Sequence, residues 1–386
     1  MNAHENRSPS FPETSTTESL PVDTPVRVRT TRPVANWLLL GVGMLVIQIL
    51  LGGITRLTGS GLSITQWKPI LGAVPPLNET DWSAAFRKYQ SIAQYKYLNS
   101  DFTLSDFKAI YFWEWMHREW ARLMGLVFLV GFAIFCYQKR LTKAMIGPFI
   151  ILFVLGALQG AIGWIMVASG LNDTDLYVSH IRLAVHFIAA LVLIGYTFWF
   201  YLKLRIPETA RTEQPRLRRI LLILLGLLTI QLVYGAFMAG LKASTAAPTW
   251  PGINGQLLPV NPAQYGNRIF TGLQWMTDHP LVVHFIHRSL ALLLCLGVLG
   301  FTIAAAGVKN RIKAPALSHW YKWPLLLVLV QAILGILTVL NATKATNSRM
   351  GAYEWLAEAH QLVAMSLLLS LLALLFATRQ RTAVVR

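Results

Sequence analysis

The stretch WLLLGVGMLVIQILLGGITRL, residues 37–57, is apolar over a length that can cross a lipid bilayer. A hydrocarbon core about 30 Å thick requires about 20 consecutive apolar residues in a helix. Seven more runs of this kind begin near Ile110, Met145, Ile181, Arg218, Pro280, Trp320 and Trp355. The sequence therefore predicts an all-α integral membrane protein with eight transmembrane helices.

The composition of the 386-residue chain agrees with a membrane location. Hydrophobic residues make up 54% of the chain and charged residues 13%, and the mean hydropathy is +0.49. These values lie outside the range that is usual for soluble proteins. The formal net charge is +17, but no basic helix is interleaved with stacking aromatic residues. We therefore attribute the charge to topology and to contact with anionic lipid head groups, and we expect no nucleic-acid partner.

Lys and Arg residues concentrate on alternate connections between the predicted helices. Clusters precede the first span and follow the second, fourth, sixth and eighth spans. Because cytoplasmic loops carry an excess of Lys and Arg, this pattern places both termini in the cytoplasm. Residues 1–34 are rich in Ser, Thr and Pro and lack an apolar targeting segment, so we interpret them as a disordered cytoplasmic tail.

An internal repeat divides the chain into two four-helix halves. Each odd-numbered span contains a Gln followed four residues later by a Gly: Gln48 and Gly52, Gln159 and Gly163, Gln231 and Gly235, Gln331 and Gly335. A Gly one turn from an amide side chain suits close helix packing with an interhelical hydrogen bond. The repeat predicts an N-terminal half (35–202), a cytoplasmic linker (203–217), a C-terminal half (218–377) and a cytoplasmic tail (378–386).

Each even-numbered span contains one histidine at a matching place, namely His117, His186, His287 and His360. Corresponding histidines of the two halves are 170 and 174 residues apart, close to the 172 residues between Gln159 and Gln331. A single buried histidine is commonly a packed core residue, but four ionisable groups at symmetric places in membrane helices indicate a function. Since neutral imidazole is the commonest metal ligand in proteins, the four histidines are candidate ligands.

Two histidines on facing helices are typical of the axial ligands of a haem iron. A structural zinc site would prefer cysteines or closely spaced ligands, and the two cysteines of this chain lie apart in different spans. Helix bundles commonly bind cofactors between inward-facing side chains. We therefore predict one haem in each half, bound by His117 and His186 in the first and by His287 and His360 in the second.

Arginines beside these histidines are candidate partners of the haem propionates. Arg118 and Arg288 directly follow candidate ligands, and Arg182 lies four residues before His186. Guanidinium groups bind carboxylates through paired hydrogen bonds. The alternative for each side chain is an extended position that reaches the membrane interface.

Glu114 places an acid beside only one of the two predicted haem sites. It lies three residues before His117 and therefore projects from the same helix face, whereas the repeat-equivalent residue is His284. Burial favours the neutral acid and nearby Arg118 favours the anion, a combination that is characteristic of catalytic acids and bases. We predict that Glu114 performs proton chemistry; the alternative is a structural ion pair with an arginine.

Four further histidines occur in the helical region. His284 lies one turn before His287 on the same helix face, and the sequence leaves open whether it contacts haem. His180, His279 and His319 lie at predicted span ends. We expect solvated, interfacial positions for these three side chains.

Several segments, in this order along the chain, resemble the haem A synthase family. They are GGITRLTGSGLSITQW (52–67), EWMHREWARLMG (114–125), LQGAIGWIMVASGL (158–171), RLAVH (182–186), AGLKASTAAPTWPGINGQLLP (239–259), FIHR (285–288) and EAHQ (358–361). The similarity extends from about residue 37 to 377. The first external loop, residues 57–109, contains no cysteine, which is similar to the proteobacterial and mitochondrial branch.

The resemblance implies an enzyme of the bacterial inner membrane that oxidises the C8 methyl group of haem O to the formyl group of haem A, with water as the oxygen source. It implies that haem O binds at His117 and His186, that a haem b cofactor binds at His287 and His360, and that Glu114 is the acidic catalytic residue. Haem O synthase and oxidase assembly factors are the partner proteins that it suggests. The apolar spans imply membrane lipid as a further partner, and the sequence leaves open whether the chain forms a homo-oligomer.

Two imidazole ligands leave no open iron position for oxygen, so we favour stepwise electron removal, capture of the oxidised methyl group by water and proton transfer to Glu114. A non-catalytic di-haem cytochrome b would use the same paired histidines and would not need Glu114. A transporter could also contain duplicated halves, but the long spans with few interior prolines disfavour it.

Overall fold

A computed structural model of the chain describes residues 25–68, 71–258, 261, 263–309, 315–346 and 349–379. Within these residues, eight helical segments are long and apolar enough to cross a membrane, which confirms the predicted fold class. They are Thr31–Leu57, Leu104–Tyr137, Lys143–Ala168, His180–Arg205, Pro215–Gly240, Pro280–Lys309, Pro315–Leu340 and Ala352–Ala377.

The described helices, short ones included, are numbered along the chain. They are α1 (Pro25–Leu57), α2 (Glu79–Gln90), α3 (Ala93–Leu98), α4 (Leu104–Tyr137), α5 (Lys143–Ala168), α6 (His180–Arg205), α7 (Pro215–Gly240), α8 (Ala243–Ala246), α9 (Gln274–Thr277), α10 (Pro280–Lys309), α11 (Pro315–Trp320), α12 (Trp323–Leu340) and α13 (Ala352–Ala377). Two short antiparallel strands, β1 (Gln264–Tyr265) and β2 (Arg268–Ile269), form a hairpin.

The predicted termini fall largely outside the described residues. Of the predicted N-terminal tail, residues 1–24 are not described, and α1 begins at Pro25. Residues 380–386 of the predicted C-terminal tail also lie outside the described part of the chain. α6 ends at Arg205 and α7 begins at Pro215, so residues 206–214 connect these two helices.

Local sequence signals fix where the histidine-bearing helices begin. Thr103 caps α4, since its hydroxyl accepts a bond from the Asp106 backbone N–H at 3.3 Å and the Asp106 carboxylate accepts one from the Thr103 N–H at 2.9 Å. This reciprocal arrangement satisfies two backbone donors that the first helical turn would leave free. At α13, the Gly351 N–H donates to the Glu354 carboxylate at 3.0 Å. These caps set the helix registers that orient His117 and His360.

The helix contacts are compatible with two four-helix halves. In the first half α1 packs against α4 and α6, and α5 packs against α6; in the second half α7 packs against α10, and α12 against α10 and α13. α7 also packs against α13 within the second half, and the two halves meet through α1 and α13, α6 and α7, and α6 and α13. Ile194, Leu221, Phe301 and Leu371 are fully buried in the largest apolar cluster. Large apolar side chains such as Leu222 are exposed, as suits helix surfaces that face lipid.

The connection between α1 and α4 packs onto one end of the N-terminal half. Tyr89 and Phe107 are fully buried there, with ring centres 5.4 Å apart. The Ala93 backbone N–H donates to the Asn172 carbonyl at 2.9 Å, and Lys96 pairs with Asp173 at 2.8 Å. These contacts join the connection to the one between α5 and α6.

The prediction of a solvated position is wrong for His279. This residue is fully buried, and its Nε2 lies 3.2 Å from the Gln264 carbonyl. The β hairpin covers it, with the Tyr265 and Phe270 rings 5.6 and 5.0 Å from the imidazole. His319 is exposed, as predicted. His180 is partly buried, 3.6 Å from Asp278.

Candidate functional site

Each of the four predicted histidines packs against the Gly of one Gln-x-x-x-Gly motif. A Cβ atom on Gly52, Gly163, Gly235 or Gly335 would lie 3.1, 2.8, 3.3 or 2.9 Å from Cε1 of His117, His186, His287 or His360, respectively. These distances are shorter than ordinary van der Waals contact, so the imidazole positions depend on the absence of a side chain at each glycine. The close packing predicted from the motif is confirmed in all four copies.

The Gln of each motif in the N-terminal half bonds the same histidine that its Gly contacts. The Gln48 amide donates to the His117 backbone carbonyl at 3.2 Å, and Gln159 donates to the His186 carbonyl at 3.1 Å. The two amide nitrogens also lie 3.2 Å from Nδ1 of the same imidazoles. The predicted interhelical hydrogen bonds are therefore present, although the sequence did not identify histidine as their partner.

The two histidines of the C-terminal half face each other. Their ring centres are 6.4 Å apart, and the rings are inclined by 67°. The Gln231 and Gln331 amide nitrogens lie 3.4 and 3.1 Å from Nε2 of His287 and His360. His360 Nδ1 donates to the Gln331 backbone carbonyl at 3.0 Å, which assigns the proton to Nδ1 and leaves the lone pair on Nε2.

The geometry of this pair fits one iron between two imidazoles. Metal–imidazole bonds are about 2 Å long and the ring centre lies about 1 Å behind the nitrogen, so two axial rings have centres about 6 Å apart. The separation of 6.4 Å between the ring centres of His287 and His360 agrees with that arrangement. A backbone carbonyl that accepts the Nδ1 proton is also the usual outer partner of a metal-binding histidine.

Buried polar atoms without partners surround the histidines. Oε1 of all four motif glutamines is buried with no hydrogen-bond partner among the described residues, and so is Nδ1 of His287. Buried polar atoms are nearly always paired, so such atoms mark places where a ligand or water completes the site. Among the described residues, no cluster of three or more His, Cys, Asp or Glu side chains is suited to a metal ion.

Glu114 is buried in an ion pair on the loop side of His117. Its Oε1 accepts a bond from Arg118 at 2.5 Å, and its Oε2 accepts bonds from the Ser63 hydroxyl and the Ile64 backbone N–H, both at 2.7 Å. Arg118 also donates to the Ile64 carbonyl at 3.1 Å. The ion pair that the sequence offered as the alternative for Glu114 is thus present, and it joins α4 to the connection that follows α1.

Arg288 makes the corresponding contacts in the C-terminal half. Its Nε donates to His284 at 2.9 Å, and its terminal nitrogens donate to the carbonyls of Thr249 at 2.6 Å and Gly252 at 3.1 Å. His284 is fully buried, and its Nδ1 has no partner in the described structure. In both halves, therefore, an arginine joins a helix to the preceding loop. Its side-chain partner on the same helix is a carboxylate in one half and an imidazole in the other.

Arg182 is much less engaged than these two arginines. It lies in the first turn of α6, is exposed, and donates one bond to the Ile165 carbonyl at 2.9 Å. A guanidinium has five N–H donors, so most donors of the Arg182 side chain make no hydrogen bond to the described residues. Arg122, one turn beyond Arg118 on α4, pairs with Glu119 and donates to the Lys68 carbonyl at 3.2 Å.

The contact between the halves contains polar residues that the sequence patterns did not indicate. Arg56 on α1 donates to the Ala239 carbonyl at 3.1 Å, and Glu358 on α13 is 1% exposed. Lys242, just beyond α7, donates to the Tyr177 hydroxyl at 2.8 Å. Burial, and then the positive charge of Arg56, lower the pKa of Lys242 to about 8. A comparison of motifs between the halves could not reveal these residues, because their repeat counterparts differ.

Comparison with known proteins gives one consistent family. Residues 35–372 match the model of the COX15-CtaA family, described as cytochrome oxidase assembly protein. A protein named Heme A synthase from Rhizorhabdus wittichii is 42% identical over 344 residues, which cover 88% of this chain and 92% of that protein. Proteins of the same name from Rhodopseudomonas palustris and Bradyrhizobium diazoefficiens are 41% and 38% identical, over 81% and 87% of this chain and 82% and 89% of theirs.

Proposed function

This chain belongs to the COX15-CtaA family of cytochrome oxidase assembly proteins, and we propose that it is a haem A synthase that oxidises the C8 methyl group of haem O to a formyl group. The observation that carries the proposal is the fourfold histidine cradle, in which each half holds two imidazoles against glycines of neighbouring helices. Two such sites in one membrane protein suit one haem as substrate and another as cofactor.

We assign His287 and His360 to a haem b cofactor and His117 and His186 to the substrate haem O. The facing imidazoles of the C-terminal half support the first assignment. Glu114 supports the second, because it lies one turn before His117 and pairs with Arg118, whereas the corresponding residue in the other half is His284, which pairs with Arg288. Haem b, when bound, supplies a one-electron relay between the substrate and an acceptor outside the chain.

The proposed reaction consumes one water molecule and releases four protons and four electrons for each methyl group converted. If His117 and His186 both bound the substrate iron, no position would be left for molecular oxygen, which favours water as the oxygen source. Glu114 accepts a proton in this scheme. Its three hydrogen-bond donors stabilise the carboxylate anion, which is the form that can act as a base.

Arg182 is the strongest of the three proposed propionate partners. Arg118 and Arg288 use several donors on loop carbonyls and on Glu114 or His284, whereas the guanidinium of Arg182 makes one described hydrogen bond. Its position four residues before His186 places it one turn from a proposed ligand, on the same face of α6. Arg118 and Arg288 would contribute their remaining donors.

We further propose an inner-membrane location with both termini cytoplasmic, following the distribution of Lys and Arg. Membrane lipid surrounds the spans. We propose haem O synthase and oxidase assembly factors as neighbours, the latter in line with the description of the family, and a homo-oligomer that buries some of the exposed apolar helix faces.

Chromatography of extracted haems tests the proposed function. Cells that make haem O are compared with the intact protein, without it, and with Glu114→Ala. We expect haem A only with the intact protein and persistent haem O with the variant. If the purified protein bound only haem b and left haem O unchanged, the function would instead be that of a di-haem electron carrier.

The oxygen source is tested by isotope labelling under conditions that prevent exchange of the formyl oxygen. We expect label from water in the formyl group. Label from molecular oxygen would contradict the water route while leaving the overall conversion intact.

A further inference from the structure

The contact between α1 and α13 contains a buried carboxylate that no described residue satisfies. Glu358 is 1% exposed, and both of its oxygens are without a hydrogen-bond partner in the described structure. The carboxylate lies against Gly53, where a Cβ atom would be 2.8 Å from Oε1. Glu354, one turn earlier and equally buried, accepts bonds from the backbone N–H groups of Thr346 and Gly351 at 2.8 and 3.0 Å. Because burial of an unpaired carboxylate is costly, Glu358 requires donors beyond those that the helices provide.

Arg56 lies one turn beyond Gly53 on the same helix. One terminal nitrogen donates to the Ala239 carbonyl at 3.1 Å, while Nε is buried without a partner among the described residues. Arg56 and Glu358 interact electrostatically, yet they form no direct ion pair within the described chain. Water can accept from Nε and donate to the carboxylate at once, which would satisfy both groups.

The internal repeat shows that packing does not require these polar residues. The offsets of the glycine motifs and of the histidines pair Gly53 with Ala236, Arg56 with Ala239, and Glu358 with Ala184. Ala184 and Ala236 are 4% and 6% exposed and belong to one apolar cluster at the contact between α6 and α7. Alanines therefore pack at one junction between the halves, that of α6 and α7. A glycine, an arginine and a glutamate occupy the equivalent junction, that of α1 and α13.

The polar junction lies directly beside the proposed substrate site. Gly53 follows Gly52, the residue that contacts the His117 imidazole. Glu358 lies two residues before His360 and therefore projects from nearly the opposite side of α13, toward α1. We propose that Arg56 and Glu358 bind water between the two halves and position it for the N-terminal site. This inference rests on the proposed function, since that reaction consumes water inside a membrane.

Glu358 and Arg56 are positioning residues in this proposal, because they act through the bound water. The critical variant combines Gly53→Ala with Glu358→Ala, since it recreates the alanine contact that the repeat already contains between α6 and α7. This variant is expected to fold and to retain the absorption spectrum of a haem with two imidazole ligands. Glu358→Gln is the conservative comparison, because an amide still bonds water.

The experiment combines high-resolution electron microscopy of the purified, haem-loaded protein with measurement of haem A formation. We expect density for water between Arg56 and Glu358, its loss in the double variant, and a fall in turnover of about tenfold or more while haem O stays bound. Glu358→Gln should retain the water and part of the turnover.

Two results would overturn the proposal. One is a direct Arg56–Glu358 ion pair with no water density; the other is full turnover in a folded double variant that has lost the water. Failure of the proposed function is recognised separately, because then the intact protein would form no haem A whether or not water occupies the junction.

Discussion

Glu114 and Arg118, one turn apart on α4, form a buried ion pair at 2.5 Å. In the other half, Arg288 donates to Nε2 of His284, so this nitrogen carries no proton and the imidazole is not a cation. The arginine of the N-terminal half is thus neutralised by its partner, whereas that of the C-terminal half keeps its charge beside His287. A positive charge near a haem favours the reduced iron, which suits the electron-accepting role that we propose for a haem at His287 and His360.

Changing His284→Glu should therefore lower the reduction potential of the C-terminal haem by tens of millivolts, because it would neutralise Arg288 as Glu114 neutralises Arg118. Spectroscopic redox titration of the purified protein measures this shift. His284→Gln is the matched control, since it keeps an uncharged acceptor for Arg288. Equal potentials for the Glu and Gln variants would contradict the electrostatic argument.

Removal of the Glu114 carboxylate charge should lower turnover far more than removal of one of its donors. Glu114→Gln preserves the size of the side chain but loses the base, and general bases typically contribute about 10²–10⁴-fold. Ser63→Ala removes one hydrogen bond at 2.7 Å and leaves the pairing with Arg118 and Ile64. Rates of haem A formation at saturating haem O distinguish the two. If both variants lost activity equally, Glu114 would act by holding the loop and not as a base.

The histidine cradles predict a sharp contrast between two glycines on α5. Gly163→Ala would place a Cβ atom 2.8 Å from His186 Cε1, whereas a Cβ atom on the exposed Gly160 would meet no described heavy atom within 4 Å. Gly163→Ala should displace the imidazole and reduce haem O binding. Gly160→Ala should leave binding unchanged and stabilise the helix by about 0.5–1 kcal/mol. Haem O titration by absorbance, with thermal unfolding in parallel, measures both effects; normal binding by Gly163→Ala would contradict the cradle.

The spans and the close helix contacts at the Gln-x-x-x-Gly motifs could be predicted because both depend on patterns within single helices. Apolar runs located all eight spans, and the Gln48–Gly52 spacing predicted a close helix contact. The spacing could not show that His117 occupies that contact, since one helix reveals only its own surface. His279 was misjudged because the hairpin that buries it lies in a connection without helical periodicity. Glu358 was missed because the repeat replaces it with Ala184, and comparison of equivalent motifs emphasises residues that agree.

Lys242 should make stability depend on pH just beyond the end of α7. Burial and the charge of Arg56 lower its pKa in the folded protein from 10.5 to about 8. Between these values the folded protein has released a proton that the unfolded chain retains, so the unfolded state binds more protons and stability rises with pH. Burial raises the pKa of its partner Tyr177, which opposes this trend only once unfolded tyrosine ionises, above about pH 10.

Thermal unfolding in detergent between about pH 7 and pH 10 tests this effect. The melting temperature of the unmodified protein should rise relative to that of Lys242→Met as the pH passes 8, because the variant lacks the charge whose burial is costly at lower pH. Lys88→Met, at an exposed position on α2, controls for the general loss of a lysine. Parallel profiles for the protein and Lys242→Met would show that Lys242 keeps its proton in the folded state, and that its contact with Tyr177 tolerates the full charge.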